Sequence, residues 1–128
     1  MAAEPLFAGT IKNSGVSIAN ADGTTKKTCY TPGAAGSRVD QIRVTSTDTV
    51  NVILAFSLAI SGVDYPLGEV QVPAGAGTDG STSWIDALSQ LNLDESLFIA
   101  AGTTLKVNAK AAVSAGKTVY AVPFAGDM

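Results

Sequence analysis

Three closely spaced glycines are the first feature of this sequence able to carry chemistry. Gly75-Ala76-Gly77-Thr78-Asp79-Gly80 fits the pattern G-x-G-x-x-G, whose small residues let a backbone approach a pyrophosphate. The pattern follows a strand-like run and precedes a helical one. Two acids, Asp94 and Glu95, stand near the distance at which such a site binds a ribose hydroxyl. Its surroundings argue against a nucleotide. The fingerprint belongs in a parallel strand-helix-strand unit, whereas the flanking strands here read as antiparallel hairpins and Pro73 separates strand from glycines. No lysine follows Gly80, so the phosphate cradle of a P-loop is excluded. The segment reads as a flexible loop, and no cofactor is expected.

The other reactive side chains are equally unassembled. Asp79, Asp86, Asp94 and Glu95 group loosely near the helical run, without the alternating oxygen ligands of a calcium loop, and read as capping or solvated acids. Histidine is absent, which removes the usual general base near neutral pH and the commonest transition-metal ligand. No metal site is expected. A serine nucleophile would then need a Ser-Lys arrangement, and no motif supplies one. Cys29 is the sole cysteine, in a Thr-Cys-Tyr run that reads as strand; a buried, inert thiol is expected. Tyr30, Tyr65, Trp84 and Tyr120 are candidates for a sugar-binding platform, but aromatic residues make up only 6% of the chain and Trp84 reads as the core anchor of a helix. The expectation is a structural or binding protein with no enzymatic activity.

Charge narrows the partners. Eight basic and eleven acidic residues are spread along the chain for a net charge of −3, so no cationic stripe exists to collect phosphates, and nucleic acid is not expected as a ligand. Lys26 and Lys27 open one strand and Arg38 and Arg43 lie on the next, a modest basic face that suits either an acidic protein surface or protection of a sheet edge. The beginning, Met-Ala-Ala-Glu-Pro, has no basic leader. The longest apolar run, residues 50–60, is interrupted by Asn51 and Ser57 and is about half the roughly 20 residues of a membrane span. No membrane partner is expected, and synthesis in a cytoplasm is.

The elements that must position these residues are mostly strands. With 128 residues, one domain is the expectation: an extended arm over residues 1–10 and a single β-sandwich over residues 11–128. Residues 11–30 read as a hairpin about Asn20-Ala21-Asp22-Gly23, whose Asp-Gly pair suits a tight turn. Residues 38–47 alternate, with Ile42 and Val44 on one face and Arg43 and Thr45 on the other. The strongest strand pattern places Val52, Leu54, Phe56, Leu58 and Ile60 opposite uncharged Ile53, Ala55, Ser57 and Ala59, which predicts a central strand covered on both faces. A return strand covers residues 65–72. Trp84, Ala87, Leu88 and Leu91, at i, i+3, i+4 and i+7 after capping residues 81–83, predict one short helix. Strands over residues 97–100, 104–113 and 118–124 follow, the last two read as a hairpin about residues 114–117. The fold class is therefore all-β, an antiparallel β-sandwich or jelly roll with one short helix in a crossover.

Several stretches carry a family resemblance. Gly36-Ser37-Arg38-Val39-Asp40-Gln41-Ile42-Arg43-Val44, residues 50–60, Glu69-Val70-Gln71-Val72-Pro73-Ala74, the loop of residues 76–80 and the ending Ala121-Val122-Pro123-Phe124-Ala125-Gly126-Asp127-Met128 resemble small virion proteins of tailed bacteriophages. In that family a strand opening Gly-Ser-Arg and a terminal Gly-Gly-Asp before one bulky residue recur; here Ala125 replaces the first glycine. The resemblance spans most of residues 24–128. It implies a decoration or cement protein on the outside of the head, often trimeric, bound to the major capsid protein, made in the host bacterial cytoplasm and located in the virion. On that reading the contact surface includes Ala2, Ala3, Glu4, Pro5, Leu6 and Phe7 of the arm with Lys26, Lys27 and Arg38. The alternative is a receptor-binding or fibre-associated module for host glycans. A convergent aromatic and polar pocket near Trp84 or Tyr65 would favour that alternative, and a flat apolar trimer face with a disordered arm would favour cement.

Overall fold

A computed structural model describes residues 10–93 and 96–127; the arm residues Ala2, Ala3, Glu4, Pro5, Leu6 and Phe7, and the acids Asp94 and Glu95, lie outside the described residues. Two antiparallel sheets face each other. The six-stranded sheet contains β1 (Thr10–Asn13), β2 (Val16–Ala19), β4 (Ser37–Ser46), β7 (Ile85–Asp86), β8 (Leu97–Ile99) and β10 (Thr118–Asp127). The four-stranded sheet runs in the order β3 (Lys27–Tyr30), β9 (Thr104–Ala109), β5 (Val52–Ile60), β6 (Val63–Val72). The chain is an all-β sandwich, as its alternation predicts.

The strand order defines the kind of sandwich. β1 and β2 both lie along one side of β10, and β7 and β8 both lie along β4, so each pair is one strand interrupted. Ten strands with two such mergers make eight, ordered 1-8-3-6 in one sheet and 2-7-4-5 in the other. First pairs with eighth, second with seventh, third with sixth and fourth with fifth. This is one long hairpin rolled up on itself, a jelly roll.

That rolling corrects two sequence expectations. The turns about residues 20–23 and 114–117 do not close hairpins: β2 pairs with β10 while β3 pairs with β9, so both turns carry the chain from one sheet to the other. They are corners, and they are tied together. The Asp22 carboxylate accepts from the Ala19 amide at 2.8 Å, and Asn20 Nδ2 donates to the Val113 carbonyl at 2.6 Å. The tight two-residue hairpin is instead Ser61-Gly62 between β5 and β6, with φ of 51° and 81°, the positive pair that a strand-matched turn requires.

The core lies between the sheets. Leu54, Phe56, Val70, Val72, Leu105 and Val107 from one meet Ile18, Val39, Ile42, Val44 and Val119 from the other, all buried. β5 is an inner strand between β9 and β6, as its pattern predicts, but the second sheet covers only one of its faces and Ile53 on the other stays 44% exposed. β9 ends at Ala109 rather than at residue 113, because the chain leaves the sheet there to reach the corner.

The helix is shorter than its periodicity suggests. Ile85 and Asp86 extend along Val44 and Arg43 as β7, so α1 covers only Ala87–Gln90. Asp86 is the reason: its Oδ1 accepts from the Leu88 amide at 3.1 Å as N-cap and from the Ile42 amide at 3.2 Å, fixing the residue at the sheet. Trp84 consequently precedes the helix, 37% exposed, and does not anchor the core.

Candidate functional site

The glycine-rich segment is a pinned turn. Gly75, Gly77 and Gly80 have φ of 71°, 71° and 81°, a region that residues with a Cβ seldom enter, so all three glycines have a conformational cause. The Gly75 amide donates to the Asp48 carbonyl and the Ser46 amide to the Ala76 carbonyl, both at 2.9 Å, and Ala76 is fully buried. Asp79 accepts from the amides of Ser81 and Thr82 and from the Thr82 hydroxyl, and these bonds lower its carboxyl to about 2. Of the amides a phosphate would need, those of Gly75 to Asp79, Ser81 and Thr82 already donate to protein oxygens. The four-residue helix begins well beyond Gly80, and no parallel unit surrounds it. A nucleotide has no cradle here.

The remaining reactive candidates are dispersed. Burial pushes the Cys29 thiol up to about 12. Asp86 caps the helix and Asp48 spans a corner, where burial would raise its carboxyl but the amides of Ser114, Val50 and Thr49 outweigh burial and lower it. Among the described residues no three metal-ligating side chains gather. The aromatic residues do not converge either: Tyr30 is buried, Tyr65 lies on the β5-β6 hairpin, and only Trp84 and Tyr120 share a face.

That face is the outside of the six-stranded sheet. Along β10, Val119, Ala121 and Pro123 point inward, leaving Tyr120, Val122 and Phe124 outside. On β4 the buried set changes phase, from Ser37 and Val39 to Ile42, Val44 and Ser46, because Asp40 is an extra residue opposite the Phe124-Ala125 step. The bulge keeps Arg38, Gln41, Arg43 and Thr45 all on the outer face. Register then places Arg43 beside Val122, Thr45 beside Tyr120, and Arg38 between Gly126 and the outward Phe98 of β8. Ile11 sits opposite Gly126 on the other flank. Of the ten large apolar side chains left exposed among the described residues, five (Ile11, Trp84, Phe98, Tyr120 and Phe124) lie here, Ile11 and Phe98 at 88% and 65%. Ile11, Arg38 and Phe124 line one open depression of about 420 Å³. Apolar and aromatic side chains around arginine are the composition of protein-binding surfaces.

The two arginines differ in their surroundings. Arg38 Nε is 2.9 Å from Asp40 Oδ1, which also accepts from Ser96. Arg43 has no carboxylate within ion-pair distance among the described residues; its guanidinium carbon stacks 3.9 Å from the Trp84 ring centroid and 5.7 Å from that of Phe124. Lys26 and Lys27 are remote from both, beside and on β3 of the four-stranded sheet, paired with Asp64 at 3.0 Å and Asp22 at 3.3 Å. The structure therefore does not bring Lys26 and Lys27 together with Arg38. Sequence reasoning preferred Trp84 as a core anchor, named Tyr120 only as a candidate for a sugar platform, and did not single out Phe98 or Phe124. The alternation of residues 119–124 was the available signal, since the second apolar set there has no small or charged member.

The chain matches no protein-family model, and no curated protein matches it.

Proposed function

We propose that this chain is a structural, non-catalytic virion protein of a tailed bacteriophage, a decoration or cement protein that binds the major capsid protein on the outside of the head and reinforces it. A jelly roll alone does not choose this role, because lectin-type and enzymatic domains share the architecture. The observation that supports it is the outer face of the six-stranded sheet, where Ile11, Phe98, Phe124, Tyr120 and Trp84 are left exposed to water around Arg38 and Arg43. Such a surface is costly to a free monomer and is relieved by docking. The family resemblance points the same way: its two motifs, the Gly-Ser-Arg strand and the terminal Gly-Asp, are neighbours in the fold, with Gly126 opposite Arg38 and Asp127 opposite Ser37. Repetition over a lattice would convert modest affinity per site into durable attachment.

The glycan-binding alternative draws less support. Sugar recognition needs aromatic ring faces that converge, and here Arg43 covers one face of Trp84 while Tyr65 lies on the other sheet. The test mixes the purified full chain with undecorated heads and reads co-sedimentation and the temperature at which heads release DNA. Binding with a raised release temperature is the expected outcome; no co-sedimentation at any ratio overturns the proposal. Light scattering of the isolated chain checks the trimer that belongs to this reading.

A further inference from the structure

We infer that Arg43 is the anion receptor at the centre of this face, and that the partner surface presents a carboxylate ringed by apolar side chains. The inference rests on the capsid-binding reading and specifies what the partner must supply. Arg43 lies on β4 with β10 on one side and β7 on the other, so it is central to the sheet and not at its rim. The Trp84 ring centroid lies 3.9 Å from its guanidinium carbon and that of Phe124 5.7 Å away. No described side chain forms an ion pair or side-chain hydrogen bond with the Arg43 guanidinium, whose planar fork of N-H donors suits bidentate pairing with a carboxylate. Any protein covering Tyr120, Phe124 and Trp84 strips water from this cation. An unpaired cation desolvated in that way opposes binding strongly, so a purely apolar partner is excluded and an acid must arrive with it.

Charge also decides which acid-bearing partner. Arg38 pairs with Asp40, and Asp86, the register partner of Arg43 on β7, has its Oδ1 taken up by the Ile42 and Leu88 amides, which leaves Arg43 as the cation of the face without an ion pair among the described residues. A second copy docked face to face would set two such cations against each other. Nucleic acid would use several cations along a track, and this face offers one on a chain of net charge −3. An acidic protein surface is the occupant that fits.

Trp84 is the only tryptophan of the chain and reports directly on this contact. The full-length native chain and its Arg43→Gln variant are titrated onto undecorated heads, with affinity from co-sedimentation at rising salt and occlusion from acrylamide quenching of Trp84. Native binding should shield Trp84 and weaken with salt, and Arg43→Gln should bind at least about thirtyfold more weakly with an unchanged urea midpoint. With the Arg43→Lys variant, carbodiimide should cross-link position 43 to an aspartate or glutamate of the capsid protein. Native binding with equal affinity for Arg43→Gln, or with Trp84 still open to quencher, overturns the inference and leaves the capsid reading standing. No native binding overturns both. Protection of Trp84 by a single-stranded oligonucleotide, lost in Arg43→Gln, would replace the carboxylate with phosphate and also overturn it.

Discussion

The Ser37 hydroxyl donates a hydrogen bond of 2.6 Å to Asp127 Oδ1, joining the first residue of β4 to the last residue of β10. Ser37 Oγ in turn accepts from the buried Tyr30 hydroxyl at 3.0 Å, and Asp127 Oδ1 also accepts from the Gly33 amide at 3.1 Å. Lys12 Nζ stands 3.6 Å from the same carboxylate oxygen. One carboxylate thus collects β1, β3, β4 and the loop at Gly33 at one end of the sandwich. The two motifs that carry the family resemblance are halves of this single network.

Ser37→Ala should therefore destabilise the fold although it deletes one oxygen. Ser37 is buried, and its loss removes both the acceptor for Tyr30 and the closest donor to Asp127. A loss of about 1–3 kcal/mol follows from leaving such groups unsatisfied. Urea unfolding should show a lower midpoint at unchanged slope. An unaltered midpoint would mean that the network adds nothing to stability.

Acid should unfold the protein through the same class of bond. The Ser37 hydroxyl lowers Asp127, amide bonds lower Asp79 to about 2, the Ala19 amide lowers Asp22, and amides outweigh burial to lower Asp48, all from an ordinary value of 3.8. Folded values below the unfolded ones mean that the unfolded chain binds these protons first. The stability they contribute is whole above the unfolded value, about 3.9, and disappears as pH falls through the folded values. With histidine absent, the urea midpoint should stay level between about pH 5 and pH 8 and drop steeply below about pH 4. A midpoint already sloping at neutral pH would contradict this assignment.

Alternation made the sandwich legible, because Val52, Leu54 and Phe56 or Leu105, Val107 and Ala109 can bury one face only as strands. Partner strands were not legible. A tight turn such as residues 114–117 has the same composition whether it closes a hairpin or rounds a corner between sheets, and only the rolled topology distinguishes the two. Trp84 was misread for a related reason: its spacing to Leu88 and Leu91 is helical, yet pairing of Ile85 with Val44 holds the chain extended one residue later. The outer face stayed hidden because exposed aromatic residues look like core to a pattern. The bulge at Asp40, which keeps Arg38 and Arg43 on one side, is marked in the sequence only by the three-residue step from Val39 to Ile42, which breaks the strand's period of two.

Cys29 should be chemically silent in the folded protein. It is buried within β3, and its thiol is pushed up to about 12, so the thiolate that reacts with alkylating agents is scarce at neutral pH. Iodoacetamide at mildly alkaline pH should leave the native chain unmodified and label it fully in denaturing urea. Rapid labelling without denaturant would show that the β3-β9 edge opens.

The glycines of the opening motif offer a test in which two similar substitutions part company. Gly77 and Gly80 share the left-handed conformation, so alanine at either carries that strain of about 1 kcal/mol. A Cβ on Gly80 would meet nothing within 4 Å, whereas on Gly77 it would lie 2.8 Å from Thr45 Cγ2 and 3.2 Å from Trp84 Cβ. Thr45 is on β4 and Trp84 leads into β7, so Gly77→Ala must push the loop away from the outer face or displace the Trp84 ring from Arg43. Gly80→Ala should lower the urea midpoint slightly and leave Trp84 fluorescence as it was. Gly77→Ala should lower the midpoint further, shift the emission of Trp84 and weaken attachment to heads. Equal effects of the two substitutions would show that the loop does not support this face.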